Sequence, residues 1–413
     1  MEIDIEISET MTAGVYGNEN RYVRISKKLR EDYNIELYSF INLEAINNCF
    51  VCLQVFPAYT EDVEKACGSL FVTRSTYLIL EKTESKGNVV IDTTEQISLG
   101  CDPEMLLVRD GKEVVRCSSF FKKEGDVGND GFALELRPLP GIAPEAVTNT
   151  LYGLIKKARR MINSAVPQPD HVRMIGTSFI RGPNYEQYMK PTQGLWNTTN
   201  TLPYYTTGFH LHFGIPAYLL QAKEPDIRQV INYIIRVLDF YVGVPSIVLE
   251  EAEENQRRSN ITIGYGKPGD YRLNYTTLEY RVPGGFNLRH PMLSCGLIGM
   301  GATVVEDVFY RLKHYTSNFK RCDILDITTD LKKIYPNIPS KEDIFRLIMA
   351  PNTTHALSYT DKIYKDLSSM LTFGSKKQSI NDYFNLISQR TKINKDIENN
   401  WENYYEHKHC ATA

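Results

Sequence analysis

Four short pieces of the sequence carry charge in the same arrangement. In LGCDPEMLLV, Asp102 and Glu104 stand two residues apart. In FALELRPLPG the pair is Glu135 and Arg137, in TTGFHLHFGIP it is His210 and His212, and in TLEYRVPGG it is Glu279 and Arg281. Side chains alternate across a strand, so spacing i, i+2 puts both members of each pair on one face. Each pair is interleaved with apolar residues, such as Leu134 and Leu136 around Glu135, or Phe209, Leu211 and Phe213 around the histidines. Taken singly, such a piece is what any antiparallel strand with one wet face shows. As a set they differ from an ordinary wet face, which is mostly Lys, Thr, Ser and Glu. Here the eight positions hold four acids, two His and two Arg, and each piece abuts Gly or Pro.

If the four pieces lie in one sheet, four carboxylates crowd a common surface. Carboxylates a few ångströms apart must take up protons or recruit cations. Carboxylate oxygens with an imidazole nitrogen form a ligand set suited to Mg2+ or Mn2+. Two such ions would neutralise the acids and prepare the surface for the phosphates of ATP. The guanidinium groups can then grip phosphoryl oxygens in a forked manner.

A fifth segment, ENQRRSNITIGYGKPGDYR, interleaves Arg257, Arg258, Lys267 and Arg272 with Gly264, Gly266 and Gly269. Glycine-rich backbone with cations is a possible phosphate cradle, and equally a solvated basic loop. It lacks the GK-[ST] ending of a Walker loop. Trp196, Tyr204 and Tyr205, just before the His pair, are read as packing under a loop. His407, His409 and Cys410 are read as belonging to a frayed tail.

The elements that must position these residues fall into three regions. Residues 1–95 form a small N-terminal α/β domain, with EIDIEIS, FVCLQVF and STYLILEK as strands and YVRISKKLRED as a helix. Residues 96–325 form the catalytic domain, where Gly- and Pro-rich strands alternate with helices over 144–164, 224–243 and 291–319. Pro144 suits a first helical turn and Glu145 a helix N-terminus. Residues 326–413 read as a helical C-terminal extension. The chain has 413 residues, 42% of them hydrophobic, enough for one large core or two to three domains. With 47 Lys and Arg against 50 Asp and Glu, the formal charge of −3 gives no reason to expect general nucleic-acid or anionic-membrane binding. No run of 18 apolar residues is present and the N-terminus is acidic, so neither a membrane-spanning helix nor a secretory signal is expected. The eight cysteines are scattered. Cys49 and Cys52 have the gap of a zinc half-site but no second close pair follows, and they are read as small apolar residues on a strand.

The ordered series DPE, ELRP, G-x-H-x-H-x-G, YG-x-x-G-x-YR and EYR resembles phage-encoded carboxylate–amine ligases of the glutamine synthetase fold, over roughly residues 98–320. That resemblance implies an α+β protein with an antiparallel, curved catalytic sheet backed by helices. It also implies ATP as co-substrate, two divalent metals (Mg2+ or Mn2+), and a carboxylate and an amine joined through an acyl phosphate. Residue by residue, Glu104 and Glu135 would hold one metal, and Asp102, His210 and Glu279 the second. His212, Arg258, Lys267 and Tyr265 would lie at the nucleotide. Arg281 and Arg272 would stabilise the phosphoryl group in flight, and Arg137 would grip a phosphate or a substrate carboxylate. Asp102 stands where the glutamine synthetase pattern has glutamate, which shortens its reach. That pattern also has a further metal carboxylate near the second strand, where Asp126 and Asp130 stand here. No residue is assigned as the base for the amine proton.

Three rival readings are a guanidino-kinase-like phosphotransferase on the same fold, a metal hydrolase built on His210 and His212, and a non-catalytic viral structural or binding protein. The acid and amine are open: amino acids, a peptide, a protein side chain or a modified nucleobase. An oligomer is possible. A cytoplasmic location, in a phage-infected bacterial host, is the expectation.

Overall fold

The computed structural model describes residues 97–182, 185, 202–216, 224–260, 263–274, 277–316, 335–350 and 353–410, with short strands and one helix of the N-terminal region. The N-terminal strands β1 (Asp4–Ile7), β2 (Tyr22–Ile25), β3 (Phe40–Glu44), β4 (Phe50–Pro57), β5 (Ser69–Val72) and β6 (Val89–Val90) form one mixed sheet in the order β1-β5-β2-β4-β3-β6, with helix α1 (Lys27–Asp32) after β2. The segment expected to be all helix therefore divides. Tyr-Val-Arg-Ile, with two β-branched residues in alternation, takes the strand, and the helix begins only at Lys27. The expected strand STYLILEK lies outside the described residues, as do Trp196 and the side chains of Cys49, Cys52, His407, His409 and Cys410.

The second sheet is antiparallel and built around β7 (Leu99–Arg109). One side of β7 pairs first with β14 (Phe209–Gly214) and then with β11 (Val172–Ile175). The other side pairs with β10 (Ala133–Leu136) and then with β8 (Glu113–Val115). β9 (Val127–Asp130) extends the sheet beyond β10. β16 (Thr277–Tyr280) and β15 (Tyr271–Asn274) extend it beyond β14. A hairpin of β12 (Phe179–Arg181) and β13 (Tyr204–Thr206) stands apart from this path.

Alternation divides the two faces of the sheet. Leu99, Cys101, Met105 and Leu107 of β7, Phe209, Leu211 and Phe213 of β14, Leu134 and Leu136 of β10, and Leu278 and Tyr280 of β16 all enter one large core. The charged residues between them face the other way. Helices cover the apolar face. α2 (Pro144–Ala165) buries Val147, Leu151, Ile155, Ala158 and Ile162 at three- and four-residue spacing, each fully buried aliphatic chain contributing roughly 1.5–3 kcal/mol. α3 (Glu224–Leu238) runs into a π-helical turn, Asp239–Gly243, so the helix expected to 243 changes its winding at Asp239. α4 (Gln256–Ser259) is a short turn preceding the glycine-rich run. α5 (Pro291–Thr316) packs under β7 and β14. By length and composition Pro291–Arg311 could cross a membrane, but 89% of that window is buried inside the fold, as a core helix would be.

The described C-terminal residues carry the helices α6 (Lys341–Met349), α7 (Thr360–Ser368), α8 (Phe373–Ser388) and α9 (Ile397–Cys410). They share the main core. Ile344, Leu367, Ile380, Tyr383 and Trp401 belong to the same buried cluster as the sheet. Lys376 of α8 pairs at 2.7 Å with Glu306 of α5, both buried, and Trp401 Nε1 donates to the Leu288 carbonyl. These helices therefore reach the backbone that follows β16.

Candidate active site

The ladder registers bring the sequence pairs together on the face away from the core. His210 lies opposite Asp102, Glu135 opposite Glu104, His212 opposite Glu279, and Arg272 opposite Glu279. Cross-strand partners project to the same side, so one row of acids and imidazoles runs across β15, β16, β14, β7 and β10. The i, i+2 spacing implies the shared face within each strand, and the ladder registers supply the neighbours.

Asp102, His210 and Glu279 converge most closely, with one ligand atom from each lying within 4.8 Å of the others. His210 Nδ1 is 3.1 Å from Asp102 Oδ1 and 3.7 Å from Glu279 Oε1, and His212 Nε2 is 3.0 Å from Asp102 Oδ1. Asp102 Oδ1 and Glu279 Oε1 are nonetheless buried oxygens outside hydrogen-bonding geometry with any side chain. Their charged neighbours meet them without a well-directed hydrogen bond, which leaves buried acceptor capacity unused. Two such oxygens aimed at one imidazole nitrogen are the donor set that a divalent cation would complete. The titrations have the same origin. Burial works to raise the Asp102 carboxyl, but the two imidazoles beside it outweigh burial and hold it well below the usual range. Burial lowers His210, and the Asp102 charge overrides it and raises the imidazole above its ordinary value.

Glu104 and Glu135 lie next along the row. Glu104 Oε2 accepts from the Gly208 amide at 2.6 Å while its own amide donates to the Gly208 carbonyl. Burial, with Asp102 nearby, keeps its carboxyl above the ordinary value. Burial and the charges of Asp102 and Glu104 push Glu135 up to about 7 despite its ion pair with Arg137. Arg137 also donates to the carbonyls of Lys123 and Gly125, which anchors it to the loop before β9.

Cations close the opposite end. Arg272 Nη1 meets Glu279 Oε2 at 3.1 Å, and Arg281 Nε lies 3.2 Å from Glu279 Oε1 with its Nη1 3.7 Å from Asp270. Tyr265 contacts His210 Nε2 through its hydroxyl, and its ring lies under Arg257 and Arg281, at 4.1 and 5.3 Å. Arg257, read from the sequence as one cation of a phosphate cradle or a solvated loop, is instead wholly buried and donates to the carbonyls of Val282 and Arg281. Its place was not legible because nothing in the spacing of Arg257 and Arg258 distinguishes them. Lys267 is half-buried in the same loop.

Other expected positions are not brought to the face. Arg258 is wholly buried, paired with Glu250 and donating to Asn255 Oδ1 and the Ile348 carbonyl, so it holds structure and cannot reach a bound nucleotide. Asp126 pairs with Lys157 at 2.7 Å, and Asp130 lies exposed opposite Ala133, so neither adds a carboxylate to the row. Tyr205 is buried against Leu106 and Ala133, a packing role, while Tyr204 is partly exposed and stacks on Phe179. A cavity of about 370 Å3 elsewhere, lined by Val248, Glu251, Arg289 and Lys392 among others, includes none of the charged row.

The sequence matches the family described as phage phiEco32-like COOH.NH2 ligase-type 2 over residues 99–178 and 189–321, just over half the chain. No curated protein matches it. Among solved structures it is similar to a bifunctional glutathione synthetase from Pasteurella multocida, with 12% identity over 72% of this chain and 52% of that one and a TM-score of 0.33. It is similar also to a novel glutamine synthase homolog (11%, 87% and 80%, TM-score 0.38) and to apo GmaS without ligand (12%, 68% and 72%, TM-score 0.32). The chain thus spans about half the length of the Pasteurella protein.

Proposed function

This chain belongs to the phage phiEco32-like COOH.NH2 ligase-type 2 family, and we propose that it joins a carboxylate to an amine at the charged face, using ATP. The observation that carries this reading is the convergence of Asp102, His210 and Glu279 within 4.8 Å, beside Glu104 and Glu135 on the same face. Asp102, His210 and Glu279 would hold one divalent cation, and Glu104 with Glu135 a second. Such cations neutralise the acids and offset the charge of a triphosphate.

The chain's own residues then bind and orient. Arg281 and Arg272, paired to Glu279 along one edge, would meet phosphoryl oxygens with planar forks. Arg137 stands at the other edge, fixed by Glu135 and two carbonyls, and would grip a phosphate or a substrate carboxylate. In the proposed reaction an oxygen of the substrate carboxylate attacks the γ-phosphorus, and the bond from that phosphorus to the bridging oxygen of ADP breaks. The amine nitrogen then attacks the acyl carbon, the carbon–oxygen bond to phosphate breaks, and the amine proton leaves to a base. Amide, ADP and phosphate result. The protein contributes positioning and fixed charge, and it must exclude water from the acyl phosphate.

The test is ATP-to-ADP turnover over a panel of amino acids, peptides and amines with Mg2+ or Mn2+, read by mass spectrometry. A product whose mass is acid plus amine minus water supports the reading. A phosphorylated product, or hydrolysis without ATP, would overturn it.

A further inference from the structure

The run Gly264-Tyr265-Gly266 looked like a phosphate cradle in sequence, yet its geometry serves a side chain. Gly264 and Gly266 both have left-handed backbone, φ +57° and +70°. A Cβ on Gly266 would overlap the Arg257 guanidinium. The two glycines turn the loop so that Tyr265 points at the sheet, and the Tyr265 amide donates to the Arg257 carbonyl at 3.0 Å. The ring is clamped from Arg257 and Arg281, and Arg257 is itself fixed by the carbonyls of Arg281 and Val282. The hydroxyl then meets His210 Nε2, while Nδ1 lies 3.1 and 3.7 Å from Asp102 and Glu279. Gly208 completes the fit. Its missing side chain leaves room for this contact, because a Cβ there would overlap His210 Nε2 and lie 2.6 Å from the Tyr265 oxygen.

We propose that Tyr265 is a positioning residue that holds the His210 ring by Nε2, so that Nδ1 is the atom presented to a cation between Asp102 and Glu279. The inference rests on the reading of His210 as a ligand given above. A ligating imidazole needs its second nitrogen protonated and hydrogen-bonded, which fixes the ring and the tautomer. A phenol hydroxyl suits this place because it accepts from Nε2–H when Nδ1 ligates and donates to Nε2 when Nδ1 carries the proton. Tyr265 accordingly need not touch a nucleotide, the role the family resemblance implies for it.

The probe is Mn2+ alone. Free Mn2+ is titrated by electron paramagnetic resonance with the full-length wild type and with Tyr265→Phe, His210→Ala and Glu279→Ala. Pulsed measurements read the nitrogen coupling of a bound imidazole, and thermal midpoints in EDTA report the fold. Tyr265→Phe keeps the clamped ring and removes only the oxygen. It is expected to weaken Mn2+ binding about 10- to 100-fold and to alter the nitrogen coupling, with an unchanged midpoint. Wild-type affinity and unchanged coupling in Tyr265→Phe would overturn the inference while leaving the cation reading intact. If His210→Ala and Glu279→Ala also bind as wild type does, the cation reading itself fails, and this inference with it. Should Tyr265→Phe not fold, Tyr265→Met takes its place, since it removes the hydroxyl while filling the space under the two guanidinium groups. Weakened binding supports the proposal and unaltered binding overturns it.

Discussion

His210 stands directly across the β14–β7 ladder from Asp102, with Nδ1 3.1 Å from Oδ1, although 108 positions of chain separate their sequence numbers. That one cross-strand pair turns two ordinary-looking strands into a site, because β16 then delivers Glu279 to the same imidazole.

If Glu279 and Glu104 hold cations, removing either should end turnover without unfolding the chain. Glu279→Ala frees Arg272 and Arg281, which are partly exposed and so tolerate the loss of their partner. Turnover of ATP in Glu279→Ala and in Glu104→Ala is expected to fall on the order of 1000-fold, with circular dichroism spectra like wild type. Unaltered turnover in both would count against the assignment.

Arg281→Lys keeps the charge and discards the fork. Its Nε and Nη1 face Glu279 and Asp270, a two-point contact that a single ammonium cannot reproduce. A loss on the order of 100-fold in kcat is expected, with little change in stability. Steady-state kinetics with the product-forming acid and amine measures it.

Arg258→Ala should fail differently. It strips the partner from the wholly buried Glu250, so stability rather than chemistry suffers, by about 3–5 kcal/mol. Urea denaturation reads this loss. The double change Glu250→Met, Arg258→Met should recover part of it, since an apolar pair leaves no uncompensated buried charge.

Asp239 makes stability depend on pH. It lies under β16, accepting from the Tyr280 hydroxyl at 2.9 Å, and burial pushes its carboxyl up to about 7 from an ordinary 3.8. Between those values the unfolded chain has lost a proton that the folded chain keeps. Its contribution is therefore complete below about pH 4 and is lost as pH rises to about 7, a change on the order of 4 kcal/mol. Unfolding in EDTA across this range should show wild type losing stability relative to Asp239→Asn as pH rises, with the difference constant above about pH 8.

The charged row was legible in the sequence because period-two alternation fixes which side chains share a face, and Gly and Pro mark where the strands stop. The ladder order was not, because register depends on contacts between strands far apart in the chain. Nor could spacing separate Arg257 from Arg258: one clamps Tyr265 and the other lies buried against Glu250, a difference set by the turn of α4. In YVRISKKLRED, helix-forming Lys, Leu and Arg masked the strand that precedes them. The π-helical turn at Asp239 left no mark in a pattern that reads as continuous helix.

On the proposed reading, the charged face seats a divalent cation. Crystals soaked in Mn2+ and measured at a wavelength where manganese scatters anomalously test it most directly. The account predicts a peak bounded by Asp102, His210 Nδ1 and Glu279. A saturating soak that leaves that position without a peak would contradict it.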